Sequence, residues 1–207
     1  MTVNKNDLII GIIGMGDMGK MYCKMFEKAG WKYVNVFKMN DNLIDWLNSL
    51  IVCDKADNYD KLKKEFENSS TVDVVKNGHL VSRKADFIIY SVEAEFIGRV
   101  VEEYGPSTKV GAIVSGQTSV KAPEKAAFEK YLPNDVHVVS VHSLHGPTVN
   151  PEGQPLVLIQ HKSPSWVLEL TEKVFECFKS RYVYLTYEEH DIVTANTQAV
   201  THAAFLR

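Results

Sequence analysis

Cysteine pairs, long apolar runs and an excess of positive charge are all missing from this sequence. The three cysteines, Cys23, Cys53 and Cys177, have no paired spacing. That excludes a disulfide framework and points to a reducing compartment, most simply the cytoplasm. No apolar run reaches the roughly 18 residues of a membrane span. The opening "MTVNKND" lacks the apolar stretch of a secretory signal. A net charge of −3 gives no electrostatic footprint for nucleic acid. What remains is an ordinary composition, 45% hydrophobic and 24% charged over 207 residues. It is long enough to bury a sizeable core without covalent staples.

Short apolar runs alternate with helical patterns. The runs are Leu8–Ile13, Phe87–Val92, Val110–Val114, Val136–Val141, Leu156–Gln160 and Tyr182–Leu185. Ala94–Tyr104, Glu124–Leu132 and Ser165–Lys179 read as helices, with Pro123 and Pro164 where proline suits a first turn. This alternation predicts an α/β fold with a parallel sheet covered on both faces. No repeat or low-complexity segment interrupts it.

The first run leads into Gly14-Met15-Gly16-Asp17-Met18-Gly19, which fits G-x-G-x-x-G between a strand and a helix. Met18, Met21, Tyr22, Met25 and Phe26 then form an apolar stripe at helical spacing. Gly14 suits the tight turn, Gly16 the approach of backbone N–H groups to a pyrophosphate, and Gly19 close helix–strand packing. The helix N-terminus adds a favourable dipole. A bare glycine turn is the bland alternative; the flanks favour a dinucleotide and a Rossmann-like sheet.

Such a loop expects a charged residue at the end of the second strand. Two candidates compete: Tyr33–Phe37, ending at Lys38, and a run ending in Asp54-Lys55. Near the end, Thr186 and Glu189 make a T-x-x-E capping signature. Ile192, Ala195, Ala199, Ala203 and Leu206 follow at helical spacing. The stripe is still running at Arg207, so a second domain is expected beyond it. We place the dinucleotide-binding domain at 1–186 and the start of a helical domain at 187–207.

Three stretches carry polar groups where such sheets place chemistry: "SGQTSVK", "VHSLHGP" and "EEHDIVTANTQAVTHAAF". With "GIIGMGDMG", "KNGHLVSRKADFIIYSVEA", "FEKYLP", "EGQPLV" and "VYLTYEEHD", they make the chain resemble the prephenate dehydrogenases, particularly the fungal NADP-dependent form. The resemblance covers essentially the whole chain. It implies a nucleotide-binding domain followed by an all-α dimerisation domain, here only begun, and a homodimer when complete. It implies oxidative decarboxylation of prephenate to 4-hydroxyphenylpyruvate, a tyrosine precursor. The implied cofactor is NADP; Asp54 by itself would suit NAD.

Carried over by motif, His142 matches the family's catalytic histidine, although Ser143 replaces the usual proline. It would accept a hydrogen bond from the C4 hydroxyl. Ser119 matches the serine of S-V-K, placed near the histidine and the nicotinamide. His202 matches a histidine on the substrate side. Ser91, Val92 and Glu93 match the strand end beside the cofactor. The bland readings are a core histidine for His142, a helix N-cap for Ser119 and simple packing for His202. No metal is expected: His137, His142, His145 and His190 lack a completing cysteine or carboxylate pattern. His145 reads as structural or a minor contributor.

Two departures stand out. Tyr33–Leu50 has no counterpart in the family, which implies an insertion, with translated non-coding sequence as one source. Removing it joins "AGWK" to "IVCDK" and favours Ile51–Asp54 as the second strand. The family's substrate-gripping arginine lies beyond Arg207, so the 207-residue chain is expected to be a poor catalyst alone. Two other functions fit parts of the sequence. A 3-hydroxyacid-type dehydrogenase shares the glycine loop but needs a catalytic lysine helix not found here. A non-catalytic nucleotide-binding protein would keep the loop alone.

Overall fold

The computed structural model describes residues 8–30 and 50–205, with only the backbone described over 197–205. The second-strand candidate at 33–37 lies outside the described residues, as does the inserted segment up to Leu50.

Among the described residues, eight strands form one sheet. They are β1 (Ile10–Ile13), β2 (Leu50–Cys53), β3 (Val72–Val74), β4 (Phe87–Tyr90), β5 (Ile113–Gly116), β6 (His137–Ser143), β7 (Pro155–His161) and β8 (Arg181–Tyr184). Their order is β3-β2-β1-β4-β5-β6-β7-β8. The run from β3 to β6 is parallel. The expected Rossmann-like parallel sheet is found, with one local exception: β7 turns back and pairs antiparallel with β6, from Val138 opposite His161 to Ser143 opposite Leu156. The connection over 144–154 contains no helix, whereas a parallel pair is joined by a longer crossover that is usually helical.

The β1 and β2 residues are all buried, so these strands read as continuous apolar runs rather than alternating ones. Leu50 is part of β2, paired with Ile10 and Val72, so the second strand starts one residue earlier than expected. Strand β3 and two short helices, α2 (Tyr59–Glu65) and α3 (Gly78–Lys84), had no sequence signal strong enough to predict.

The remaining helices are α1 (Asp17–Lys28), α4 (Ile97–Tyr104), α5 (Lys121–Tyr131), α6 (Ser165–Phe175) and α7 (Tyr187–Phe205). Helices α1, α2 and α6 cover one face of the sheet. There Tyr22, Phe26, Phe87, Phe175 and Phe178 form an aromatic cluster with ring centroids 4.8–6.3 Å apart. Such edge and tilted contacts add to the area each ring buries. Helices α3, α4 and α5 cover the other face through Val81, Ile97, Val101, Ala127 and Phe128. Helix α7 starts with the anticipated capping box: Thr186 N–H donates to Glu189 Oε2 (2.8 Å), and Glu189 N–H to Thr186 Oγ1 (3.1 Å). Tyr187 packs against Val157 and Ile159, which docks the first turn of α7 on β7. Ile192 and Ala195, from the predicted stripe, are exposed; the side chains further along it lie outside the described residues.

Candidate active site

Because β1, β2, β4, β5 and β6 run parallel, their carboxyl ends share one edge of the sheet. The glycine loop leaves β1 at this edge, between β2 and β4, where successive connections go to opposite sides. Ligands of such sheets bind at this crevice.

Gly14 has φ +98°, and a Cβ there would meet the Ser91 carbonyl oxygen at 2.3 Å. Its N–H donates to Cys53 O at 2.9 Å, tying the loop to the end of β2. A Cβ on Gly19 would meet Gly14 O at 2.1 Å, so only glycine lets α1 start this close to β1. Around Gly16 the space is open, with no atom within 4 Å of a Cβ. Gly16 is also the N-cap of α1, and no side chain caps the helix. The first-turn amides and the helix dipole therefore face that open space, an arrangement that fits a phosphate. Asp17 is exposed in the first turn and Met18 is half-buried. Met15 is 2% exposed and packs in the core, so only its backbone is available to a ligand.

Next to the loop, Ser91 Oγ donates to Gln117 Oε1 at 2.9 Å. Gln117 Nε2 is buried and makes no hydrogen bond of normal geometry with the described residues, although the Tyr22 hydroxyl lies near its side chain. No motif in the sequence singles out Gln117. Val92 is half-buried and Glu93 exposed beyond Ser91. At the end of β2 the Asp54 carboxylate accepts from Lys55 N–H (2.8 Å) and Asn58 Nδ2 (2.9 Å), while the Lys55 side chain is exposed.

His142 lies near the carboxyl end of β6 on the same edge. Its Nδ1 is 2.8 Å from His190 Nε2, and His190 Nδ1 is 2.9 Å from Asp191 Oδ1. Asp191 also accepts the Lys121 N–H at 2.7 Å and the Ala122 N–H at 2.9 Å. One carboxylate on α7 thus caps the start of α5, whose own N-cap is Val120 and has no capping side chain. The N-cap reading of Ser119 is thereby corrected. Ser119 is exposed in the loop between β5 and α5, and no described residue bonds its hydroxyl to His142. His202 lies on α7, but its side chain is outside the described residues. Ser143, in place of the usual proline, pairs with the Tyr22 hydroxyl at 2.7 Å inside the core.

Burial pushes His142 down to about 3, with Lys121 and His190 adding to the effect. It is therefore a neutral acceptor at pH 7. Burial also lowers His190, against the pull of Asp191. For Asp191, burial alone would raise the carboxyl; the Lys121 amide, His190 and the Ala122 amide outweigh it and hold it below the usual range.

Beneath His142 lies a fully buried ion pair, Lys121 Nζ to Glu124 Oε2 at 3.0 Å. Lys121 also donates to the carbonyls of Gly116 (3.0 Å) and Val141 (2.9 Å). Glu124 accepts from Thr118 Oγ1 (2.7 Å) and from Ser140. The pair pins the ends of β5 and β6 together. His145 Nδ1 donates to Gly146 O at 3.0 Å, and its buried Nε2 has no partner among the described residues.

No family model matches the chain. Among curated proteins, the Saccharomyces cerevisiae prephenate dehydrogenase (NADP+) is 55% identical over 96% of this chain. A Schizosaccharomyces pombe protein, provisionally named for the same activity, is 52% identical over 98%. The chain spans only 40–43% of the length of these two relatives. Among solved structures, prephenate dehydrogenase from Aquifex aeolicus matches with a TM-score of 0.73 at 19% identity, covering 97% of this chain and 68% of that one. That last likeness speaks for the fold. Over nearly all its length, then, the chain is similar to the N-terminal portion of these two fungal proteins.

Proposed function

We propose that this chain forms the cofactor-binding part, and one wall of the active site, of an NADP-dependent prephenate dehydrogenase. One observation carries the reading. His142, neutral and anchored through Nδ1, sits on the same sheet edge as a glycine loop shaped for a dinucleotide phosphate. The sequence relatives support the cofactor and the substrate. In this reading 187–207 begins a second, helical domain behind the nucleotide-binding domain 1–186. The complete protein is a homodimer, in the cytoplasm, in keeping with cysteines that form no disulfide among the described residues.

The pyrophosphate would lie on the amides of Gly14–Gly19, and the adenosine ribose near Asp54 and Lys55. Ser91, Val92, Glu93 and Gln117 would border the nicotinamide. A nicotinamide held there would supply the acceptor for the hydride on C4 of prephenate. His142 Nε2 accepts the C4 hydroxyl proton as that carbon becomes a carbonyl. The C1 carboxylate then leaves as carbon dioxide, its bonding pair moves into the ring, and the C4 oxygen takes the proton back from His142. The step thus closes with no net proton release. An anionic substrate next to His142 would raise its basicity from the depressed value toward the working range. Ser119 and His202 would orient the imidazole and the substrate.

The test is NADPH absorbance after prephenate and NADP+ are added to the protein. His142→Asn is expected to lower turnover by about 10²–10⁴-fold, the usual worth of a positioned base. Dinucleotide affinity should be unchanged. Equal turnover by this variant would overturn the assignment.

A further inference from the structure

The histidine pair and Asp191 form a directional chain. An ionised carboxylate only accepts hydrogen bonds, and Asp191 is held ionised by two backbone amides of α5. The His190 nitrogen facing it, Nδ1 at 2.9 Å, must therefore carry the proton. A neutral imidazole has one N–H, so His190 Nε2 is an acceptor. The atom 2.8 Å away, His142 Nδ1, must then be the donor. That leaves the lone pair of His142 on Nε2. The reverse assignment would set a ring lone pair against the carboxylate.

We infer that His190 and Asp191 are positioning residues that fix His142 in the Nδ1–H form with its Nε2 free to take a proton. The role as base rests on the function proposed above; the tautomer does not. The chain is mostly buried: His190 is 1% exposed, and its neighbours Lys121 and Glu124 are fully buried. The charged or titratable groups around His142 are Lys121 on α5, His190 and Asp191 on α7, and His145 in the following loop. Among the described residues Asp191 is the anion that acts on His142, which it reaches through His190, while Glu124 acts on His190. The linkage also explains why an acid sits one residue after His190: the same carboxylate caps α5 and orients the ring, so the dock of α7 and the tautomer are set together. A negative charge at the outer end also favours the imidazolium that forms when His142 takes the proton, as in other histidine–carboxylate pairs.

Long-range nitrogen–proton spectra of the ¹⁵N-histidine-labelled protein at pH 7 read the tautomers without any turnover. His142 and His190 should both be neutral and protonated on Nδ1. In His190→Phe, which leaves the Asp191 cap of α5 in place, His142 should become a mixture of tautomers. An Nε2–H form of His142 in the unsubstituted protein, or an unchanged tautomer in His190→Phe, overturns the inference. In the prephenate assay, His190→Phe should lower kcat roughly tenfold or more while leaving dinucleotide affinity alone, since a base contributes about 10²–10⁴-fold in all. Loss of dinucleotide affinity in step with kcat would mark a merely structural role and count against it. If the tautomers hold but His142→Asn turns over normally, the dehydrogenase reading fails and the hydrogen-bonded chain stands.

Discussion

At the scale of single residues, the site depends on which charges are compensated. Lys121 and Glu124 are both fully buried, and each holds several partners besides the other. Burial lowers the Lys121 ammonium while Glu124 opposes that shift. Removing one partner strands the other charge. Lys121→Met is expected to cost about 3–5 kcal/mol, read by urea unfolding. Asp54 poses a different question. Its carboxylate stands where an adenosine ribose would lie, and a 2′-phosphate nearby would be repelled. In water, like charges about 4 Å apart cost about 1 kcal/mol. Asp54→Asn should therefore tighten NADP+ binding about fivefold and weaken NAD+ binding, as measured by calorimetric titration. Of these residues, Asp54 was evident from its place at a strand end. Lys121 and Glu124 were not, because their spacing resembles any i, i+3 surface pair.

At the scale of elements, the turn from β1 into α1 separates folding from binding. Gly14 and Gly19 are required by the fold, through positive φ in one case and a 2.1 Å approach in the other. Gly16 is required by neither: its φ is −66° and its Cβ position is empty. Gly16→Ala should leave stability within about 0.5 kcal/mol, as for most substitutions free of packing conflict. It should still weaken dinucleotide binding tenfold or more, because the methyl group occupies the phosphate approach. Gly19→Ala should lose both stability and binding. Parallel thermal melts and titrations separate the two cases. Equal dinucleotide affinity in Gly16→Ala would count against a phosphate at this turn. The loop and the capping box of α7 were legible because each is a short-range pattern with its own geometry. Strand β3 and helices α2 and α3 were not, since three to seven residues carry too little periodicity to stand out.

Across the whole molecule, protonation links the site to stability. His142, His161 and His190 are all held below the ordinary histidine range, mainly by burial. Their folded forms stay neutral where the unfolded chain binds protons. Stability is therefore intact above pH 6.5 and lost as pH falls below it, down to about 3 for His142. The His142 share is up to about 1.4 kcal/mol per pH unit in that window. His142→Asn should flatten the acid side of the stability profile by up to one proton equivalent, measured by urea unfolding between pH 4 and 7. An unchanged slope would mean that His142 is not a buried neutral histidine.

The sequence by itself determined the alternating α/β order, the glycine turn, the cap of α7 and the family likeness. The first three are local, each resting on residues within a few positions of one another, and the likeness is a series of such short motifs in order along the chain. Tertiary structure decided the antiparallel return of β7 and the partner of His142. His142 and His190 are 48 residues apart, and Asp191 reaches 70 residues back to the first amide of α5. No local pattern encodes such a meeting. It follows from packing α7 over the end of the sheet, where burial makes every unpaired donor and charge costly. The same physics made His190 of "EEHD", in the sequence one of four histidines without a metal-ligand pattern, the hydrogen-bonded partner of His142.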